Sequence, residues 1–355
     1  MGSGNDFAVS GPMHMMARSG VGSSPATTIE IDWDNEEHRR CITSCLVKGT
    51  YVLQSDQTRG EALAPAWWES FHFILLEALE CKIPNFLGPN RLFSAIFEYV
   101  PPYGGRRHKS APRYIVAFRG TMLKDPTAVR DICLDASIVL NQHHRFSRFR
   151  KARERVEELI ANGSVTGSSD VWLAGHSLGA SIALDVGRDM ARKGCYLPTF
   201  LFNPPHVSLA PAVDVLPMTD VAKEHLSATS CVVKYVLGKT VLRSHGERME
   251  ALFEKLSPWK PNLYVHERDV ICKGFIDYFN QRKQVQKRFP GVAMSATTLS
   301  YRDMCYSVSG KHSERAHLLP SAWLHKNSSS HGNAHELQQW WHPKLTFNSE
   351  LYSWH

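Results

Sequence analysis

The chain has 355 residues, of which 43 % are hydrophobic, and a formal net charge of +7. This length accommodates one large α/β domain or two small ones, and the apolar content is typical of a globular protein. No stretch approaches the ~18 continuous apolar residues of a membrane-spanning helix. Basic residues alternate with acidic ones and form only short clusters, which indicates a solvated surface and argues against a nucleic-acid site.

The cysteines and the N-terminus bear on the cellular compartment. The 8 cysteines lack the CxxC spacing of zinc or redox sites. The N-terminus does not contain a basic segment followed by an apolar one, so no secretory signal is predicted. Both features favour reduced thiols and a cytoplasmic location. Residues 1–28 are poor in charge and periodicity, which predicts a disordered tail, and their low arginine content makes plastid targeting a less favoured alternative. Residues 29–355 are expected to form a single domain.

In chain order, apolar spacing predicts helices at 35–54 and 67–78. The second helix is predicted because five residues share one helical face: Trp67, Phe71, Ile74, Leu75 and Ala78. Residues 93–100 and 114–118 are predicted strands, joined by a basic, turn-rich loop at 103–111. The strand at 114–118 is apolar throughout, which is typical of a strand buried on both faces.

The middle of the chain is irregular from 122 to 144, as expected of loop or lid material, and an amphipathic helix follows at 149–160. Four further elements are predicted after residue 190: strands at 198–202 and 262–266, and helices at 249–256 and 275–281. This alternation of strands and helices predicts one sheet, rich in parallel pairs and covered by helices on both faces.

Residues 171–180 combine a strand, a sharp turn and a helix. The four apolar residues 171–174 predict a buried strand, Gly175-x-Ser177-x-Gly179 follows directly, and a helix is predicted at 180–190. This is the context of a nucleophile elbow, in which a strained turn raises the serine hydroxyl above the sheet edge. The glycines avoid collisions between strand and helix, and the helix N-terminus favours a developing oxyanion. Ser177 is therefore the predicted nucleophile.

A serine nucleophile needs a histidine base, and the base needs a carboxylate to orient it. In α/β-hydrolases the acid follows the serine and the histidine follows the acid. Asp269 lies just after the predicted strand 262–266 and fits this order. Glu267 is a close alternative, and Asp277, on the following helix, is a weaker one.

Seven histidines follow the acid and are candidates for the base: His312, His317, His325, His331, His335, His342 and His355. The densest block lies at 331–341, where His331 and His335 are four residues apart. That spacing also suggests a zinc pair, but Gln339 occupies the last position of an H-E-x-x-H motif, so no metal is expected.

Three segments resemble class 3, fungal-lipase-like α/β-hydrolases: Phe-Arg-Gly-Thr at 118–121, Gly-His-Ser-Leu-Gly at 175–179 and His-Glu-Arg-Asp-Val-Ile at 266–271. A plant branch of this family is similar in three further places: Phe-Asn-Pro-Pro at 202–205, Asp-Tyr-Phe at 277–279, and Ala334-His335 with Gln-Trp-Trp at 339–341. The branch sometimes carries the label GDSL esterase/lipase, although this chain contains no Gly-Asp-Ser-Leu block.

The resemblance implies an α/β-hydrolase fold with a mostly parallel central sheet. By position, it implies Ser177 as nucleophile, Asp269 as acid and His335 as base. The backbone N–H groups of Leu178 and Thr121 would form the oxyanion hole, with a contribution from the Thr121 hydroxyl.

The activity implied by the resemblance is hydrolysis of carboxylic esters, in particular acyl lipids, without a cofactor. Transient contact with a membrane surface would accompany a lipid substrate. An acyltransferase or a thioesterase would use the same triad, and a catalytically inactive hydrolase fold that binds a partner is a third alternative. The sequence does not indicate an oligomeric state.

Overall fold

A computed structural model of the chain describes residues 31–62, 66–81, 91–121, 147–161, 167–206, 243–288, 298, 318–330, 332–342 and 345–354. Within these ranges, one sheet contains the strands in sequence order. They are β1 (Phe73–Cys81), β2 (Arg91–Tyr99), β3 (Tyr114–Phe118), β4 (Val171–His176), β5 (Thr199–Phe202), β6 (Asn262–His266), β7 (Ala322–Asn327) and β8 (Asn348–Tyr352). Strands β3 to β7 are parallel, whereas β1, β2 and β8 pair antiparallel with their neighbours.

The central strands are apolar throughout because both faces of the sheet are covered. In β3, Val116 and Phe118 pack into the core on one face, and Ile115 and Ala117 pack into the core on the other. The mostly parallel sheet with helices on both faces, predicted from the alternation of elements, is confirmed.

The helices are α1 (Glu36–Arg59), α2 (Ser147–Ala161), α3 (Leu178–Arg192), α4 (Arg243–Leu256) and α5 (Gly274–Arg288). Residues of α2, α3, α4 and α5 join the core on one face of the sheet. The opposite face is covered by α1 together with two 3-10 helices, Trp67–Phe71 and Leu337–Trp341. The N-terminal helix and a segment near the C-terminus therefore share one layer.

Helix α1 has clear signals at both ends. The Asn35 side chain accepts a hydrogen bond from the Glu37 N–H at 2.8 Å, which satisfies a donor in the first turn. Gly60 ends the helix with φ 74°, a left-handed conformation that glycine adopts at low cost. The helix is longer than the predicted 35–54, and α5 likewise extends beyond the predicted 275–281.

The helix predicted at 67–78 is wrong. Only Trp67–Phe71 is helical, as a 3-10 turn that His72 ends in a left-handed conformation with φ 62°. The following residues form β1, which pairs antiparallel with β2 at the edge of the sheet. Ile74 and Leu75, two residues of the predicted helical face, are 44 % and 36 % exposed, so their helical spacing does not reflect burial. Pairing with β2, the next strand along the chain, overrides the local pattern.

The remaining predicted elements agree with the structure to within a few residues, apart from α4, which begins at Arg243 instead of 249. Strands β7 and β8 were not predicted, since both mix charged and polar residues with apolar ones. The predicted tail at 1–28 and the irregular segment at 122–144 lie outside the described residues. Among the helices that are described, none has the length and apolar character needed to cross a bilayer.

Candidate active site

Three of the residues predicted to act together follow the carboxyl ends of parallel strands in the sheet. Thr121 follows β3, Ser177 follows β4, and Asp269 follows β6. His335 belongs to the segment between β7 and the 3-10 helix at Leu337–Trp341. In open α/β sheets, this edge is where ligands bind.

Ser177 lies in a strained turn between β4 and α3. Its backbone has φ 54° and ψ −126°, a conformation that non-glycine residues adopt rarely and that clusters at functional sites. The glycines on either side of Ser177 leave room for neighbouring backbone atoms, because neither carries a Cβ. A Cβ on Gly175 would lie 2.4 Å from the Gly179 carbonyl oxygen, and one on Gly179 would lie 2.3 Å from the Phe118 oxygen. The sharp turn predicted from Gly-x-Ser-x-Gly is present.

The side chains of Ser177, His335 and Asp269 form a continuous hydrogen-bonded chain. Nε2 of His335 lies 3.1 Å from Oγ of Ser177, and Nδ1 lies 2.8 Å from Oδ2 of Asp269. Ser177 and Asp269 are buried, whereas the His335 side chain is 15 % exposed. These are the distances expected between a nucleophile, its base and an orienting acid. Catalytic roles for the three residues stay predictions.

The alternative candidates occupy other places. His325 is buried within β7, where its ring nitrogens contact Ser349 and Asn262. His342 and Glu267 are exposed, and Asp277 lies in the first turn of α5. The remaining histidine candidates lie outside the described residues: His312, His317, His331 and His355.

Asp269 is held by donors in addition to His335. The N–H of Ile271 donates to Oδ1 at 3.0 Å, Cys272 Sγ donates to Oδ2 at 3.1 Å, and Asn203 Nδ2 donates to Oδ2 at 2.7 Å. Burial by itself raises the pKa of Asp269, but the hydrogen bonds and the charge of His335 outweigh it, and the pKa lies below its ordinary value. The carboxylate is therefore ionised whenever the site is near neutral pH.

Asn203 is a site residue to which sequence reasoning gave no role. Its side-chain amide has two hydrogens, one directed to Asp269 and the other to the Ala334 carbonyl oxygen at 2.9 Å. Its Oδ1 accepts from Nε1 of Trp340 at 2.6 Å. The available signals were its position directly after a buried strand and its place in the Phe-Asn-Pro-Pro block. Trp340 is fully buried and contacts the site through Asn203.

The turn after β3 lies against the elbow. A Cβ on Gly120 would come within 2.8 Å of both the His176 carbonyl oxygen and the Ser177 Cβ. The Gly120 carbonyl accepts from the Arg119 guanidinium at 2.7 Å, and its N–H donates to the Tyr51 hydroxyl at 2.7 Å. The N–H and the carbonyl of Gly120 therefore both have partners. The next backbone N–H along this turn is that of Thr121.

The second predicted oxyanion donor, Leu178, is the first residue of α3. The N–H groups in the first turn of a helix have no partner within that helix, and the positive end of the helix dipole favours a negative charge there. Leu178 is buried and Thr121 is exposed. The turn after β3 and the start of α3 thus both border Ser177.

Comparison with known proteins gave one informative match. A protein of Arabidopsis thaliana named GDSL esterase/lipase is 34 % identical over 369 residues, which cover 99 % of this chain and 98 % of the relative. No protein-family model matches the chain, and no solved structure matches it.

Proposed function

The chain belongs to the family of the Arabidopsis GDSL esterase/lipase, and on that premise we propose that it is a serine hydrolase of carboxylic esters. The single observation that carries the proposal is the hydrogen-bonded chain from Ser177 through His335 to Asp269. The three side chains come from distant parts of the sequence and meet at a strained turn on the functional edge of the sheet.

In the proposed reaction, Ser177 attacks the ester carbonyl carbon while Nε2 of His335 takes the hydroxyl proton. The carbonyl oxygen becomes an oxyanion, which the N–H groups of Thr121 and Leu178 stabilise. His335 then gives its proton to the departing alcohol, leaving an acyl group on Ser177. Water activated by His335 attacks the acyl-enzyme and releases the carboxylic acid. Asp269 keeps the imidazole in the required tautomer throughout.

The name of the relative refers to a Gly-Asp-Ser-Leu block, which this chain lacks. We place the nucleophile instead in Gly-His-Ser-Leu-Gly at 175–179, and the fold among class 3-like α/β-hydrolases. The strand, strained turn and helix around Ser177 support this assignment, since that arrangement defines the nucleophile elbow of such enzymes.

For the substrate, we propose acyl lipids, with transient contact between the protein and a lipid surface. The word lipase in the name of the relative supports this class. An acyltransferase or thioesterase would use the same three side chains, and the product distinguishes these reactions: free acid from an oxygen ester indicates hydrolysis.

Hydrolysis of p-nitrophenyl esters of increasing acyl length tests the proposal, with Ser177→Ala as the inactive variant. Ser181→Ala is the matched control because Ser181 is a buried serine one helical turn further along α3. We expect Ser177→Ala to lose roughly 10³-fold or more in kcat, and Ser181→Ala to remain active. A Ser177→Ala variant with more than half of wild-type activity would contradict the assignment. Adding a competing alcohol and measuring the ester formed tests for acyl transfer.

A further inference from the structure

A second chain of hydrogen bonds runs from the turn after β3 to the backbone of the base. The Gly120 N–H lies 2.7 Å from the Tyr51 hydroxyl oxygen, and that hydroxyl lies 2.9 Å from Nδ1 of His176. Nε2 of His176 lies 2.9 Å from the carbonyl oxygen of His335. Neither Tyr51 nor His176 has a part in the proton transfers proposed above.

The two groups at the ends of this series of hydrogen bonds, the Gly120 N–H and the His335 carbonyl, determine the direction of each bond. The His335 carbonyl oxygen can only accept, so Nε2 of His176 carries a hydrogen. Burial, aided by the charge of His335, lowers the pKa of His176 to about 3, so the ring is neutral and Nδ1 is an acceptor. The Tyr51 hydroxyl therefore donates to Nδ1, and its oxygen accepts from the Gly120 N–H. The direction of all three hydrogen bonds is thereby fixed.

We propose that Tyr51 and His176 are positioning residues that fix the distance between the oxyanion-side turn and the histidine base. This inference rests on the proposed hydrolase function. Tyr51 lies on α1, which covers one face of the sheet, and His176 is the last residue of β4. Both are anchored in regular structure, which holds a site more accurately than loops do.

The geometry explains why such a link would affect the rate. His335 and Thr121 lie on separate segments that have no covalent connection near the site, and both must be aligned with the same carbonyl group of a substrate. A misplacement of about 1 Å in such a site reduces the rate by as much as ~100-fold. The ring centroids of His176 and His335 are 5.1 Å apart, so a displacement of the His176 ring changes the packing around the His335 ring.

The first test compares Tyr51→Phe with Tyr278→Phe. Tyr278 is the matched control because its hydroxyl also has a backbone partner, the Leu319 carbonyl oxygen at 2.9 Å, and it lies on α5, which carries none of the proposed catalytic residues. Tyr51→Phe removes the hydroxyl that donates to His176 Nδ1 and accepts from the Gly120 N–H, and Tyr278→Phe removes the hydroxyl that donates to the Leu319 carbonyl. We expect only Tyr51→Phe to lower kcat, by roughly 10- to 100-fold, with KM changed less than about 3-fold.

The second test separates the two hydrogen bonds of the His176 ring. In His176→Gln, the longer side chain places an amide donor where Nε2 lies, so the bond to the His335 carbonyl is kept. In His176→Asn, the shorter side chain reaches only the place of Nδ1, and that bond is lost. We expect the glutamine variant to retain at least about 10-fold more kcat than the asparagine variant. We also expect the double variant with Tyr51→Phe and His176→Asn to lose less kcat than the product of the two single fold-losses.

The outcomes separate this inference from the proposed function. Wild-type protein that hydrolyses no ester and whose serine is not labelled by a fluorophosphonate would overturn both. An active wild type whose kcat is the same in Tyr51→Phe and Tyr278→Phe would overturn the positioning role alone. The positioning role would also be overturned if His176→Asn and His176→Gln had equal kcat values, or if KM carried the whole loss.

Discussion

The side-chain amide of Asn203 donates to the carboxylate of Asp269 at 2.7 Å. The same amide nitrogen also donates to the carbonyl oxygen of Ala334, the residue before the proposed base. One side chain therefore holds both the acid and the segment that carries the histidine. Its own orientation is fixed by the Trp340 indole N–H, so the three contacts act as a unit.

We expect Asn203→Gly to lower kcat by roughly 10- to 100-fold, because Asp269 and the Ala334 carbonyl both lose a donor. Glycine is chosen over alanine because Asn203 has φ 47°, a conformation that glycine adopts without strain. Asn262→Gly is the control, since the Asn262 amide also donates to a backbone carbonyl, that of Thr199 at 3.4 Å, and Asn262 is the first residue of β6, at the opposite end of that strand from Asp269. Both variants are expected to be less stable in thermal unfolding. Equal activities for the two would contradict the role of Asn203.

Gly120→Ala is expected to lower ester hydrolysis by at least about 100-fold, since the added methyl group would press on the elbow and displace the turn. The predicted contacts of the methyl carbon are all at 2.8 Å: His176 O, Ser177 Cβ and the Tyr51 hydroxyl. Gly167→Ala is the control because a Cβ there meets only the Ser169 hydroxyl at 3.9 Å. Rates on a p-nitrophenyl ester check the comparison, and similar rates for both variants would contradict the close approach.

Thr121→Val and Thr121→Gly are expected to reduce kcat less than Ser177→Ala does, by roughly 10- to 100-fold, because the backbone N–H survives. The valine variant removes the hydroxyl while keeping the size of the side chain, so it isolates the contribution of that hydroxyl. Circular dichroism and thermal unfolding show whether β3 is intact. A loss as large as that of Ser177→Ala with an intact fold would mean that the hydroxyl is indispensable, contrary to the proposal.

The buried His325 predicts a pH dependence of stability that is independent of catalysis. Burial lowers its pKa to about 3 from the ordinary 6.5, so the unfolded chain binds a proton at a higher pH than the folded protein. The contribution of His325 is complete above pH 6.5 and is lost as the pH falls toward 3, by up to ~1.4 kcal/mol per pH unit.

His325→Phe tests this dependence because phenylalanine retains a ring for stacking on Tyr264, at 4.4 Å, without a titrating group. We expect the variant to be less stable at pH 8, where Asn262 and Ser349 lose their partner. Between pH 6.5 and 3, its unfolding temperature should fall less steeply than that of the wild type. Parallel pH profiles would show that His325 is not the group responsible.

Much of the fold could be predicted because the central strands are buried on both faces, and their unbroken apolar runs are local signals. The elbow was equally clear, since a strand, two glycines and a helix adjoin Ser177 in sequence. The edges of the sheet lack such signals. In β1, only the first and last residues are buried, so the positions of its apolar residues do not report burial. Strand β8 is mostly polar.

The contacts within the site were harder to predict because they join residues far apart in sequence. Ser177 and His335 are separated by 158 positions, and only the family resemblance favoured His335 among the later histidines. Asn203 and His176 lie within the Phe-Asn-Pro-Pro and Gly-His-Ser-Leu-Gly blocks, but neither block indicates what their side chains contact, and Tyr51 lies in no motif. Their significance lies in the partners that the fold gives them, and these partners depend on how α1 and the residues around Trp340 pack against the sheet.

The central claim is that Ser177 is a nucleophile activated by His335, and reaction with a fluorophosphonate probe tests it most directly. Wild-type protein is incubated with the probe and digested, and the modified peptide is identified by mass spectrometry, with Ser177→Ala and His335→Ala alongside. The account predicts that Ser177 is the one labelled residue of the wild type, that Ser177→Ala is not labelled, and that His335→Ala is labelled much more slowly. Labelling of another serine, or a rate unaffected by His335→Ala, would contradict it.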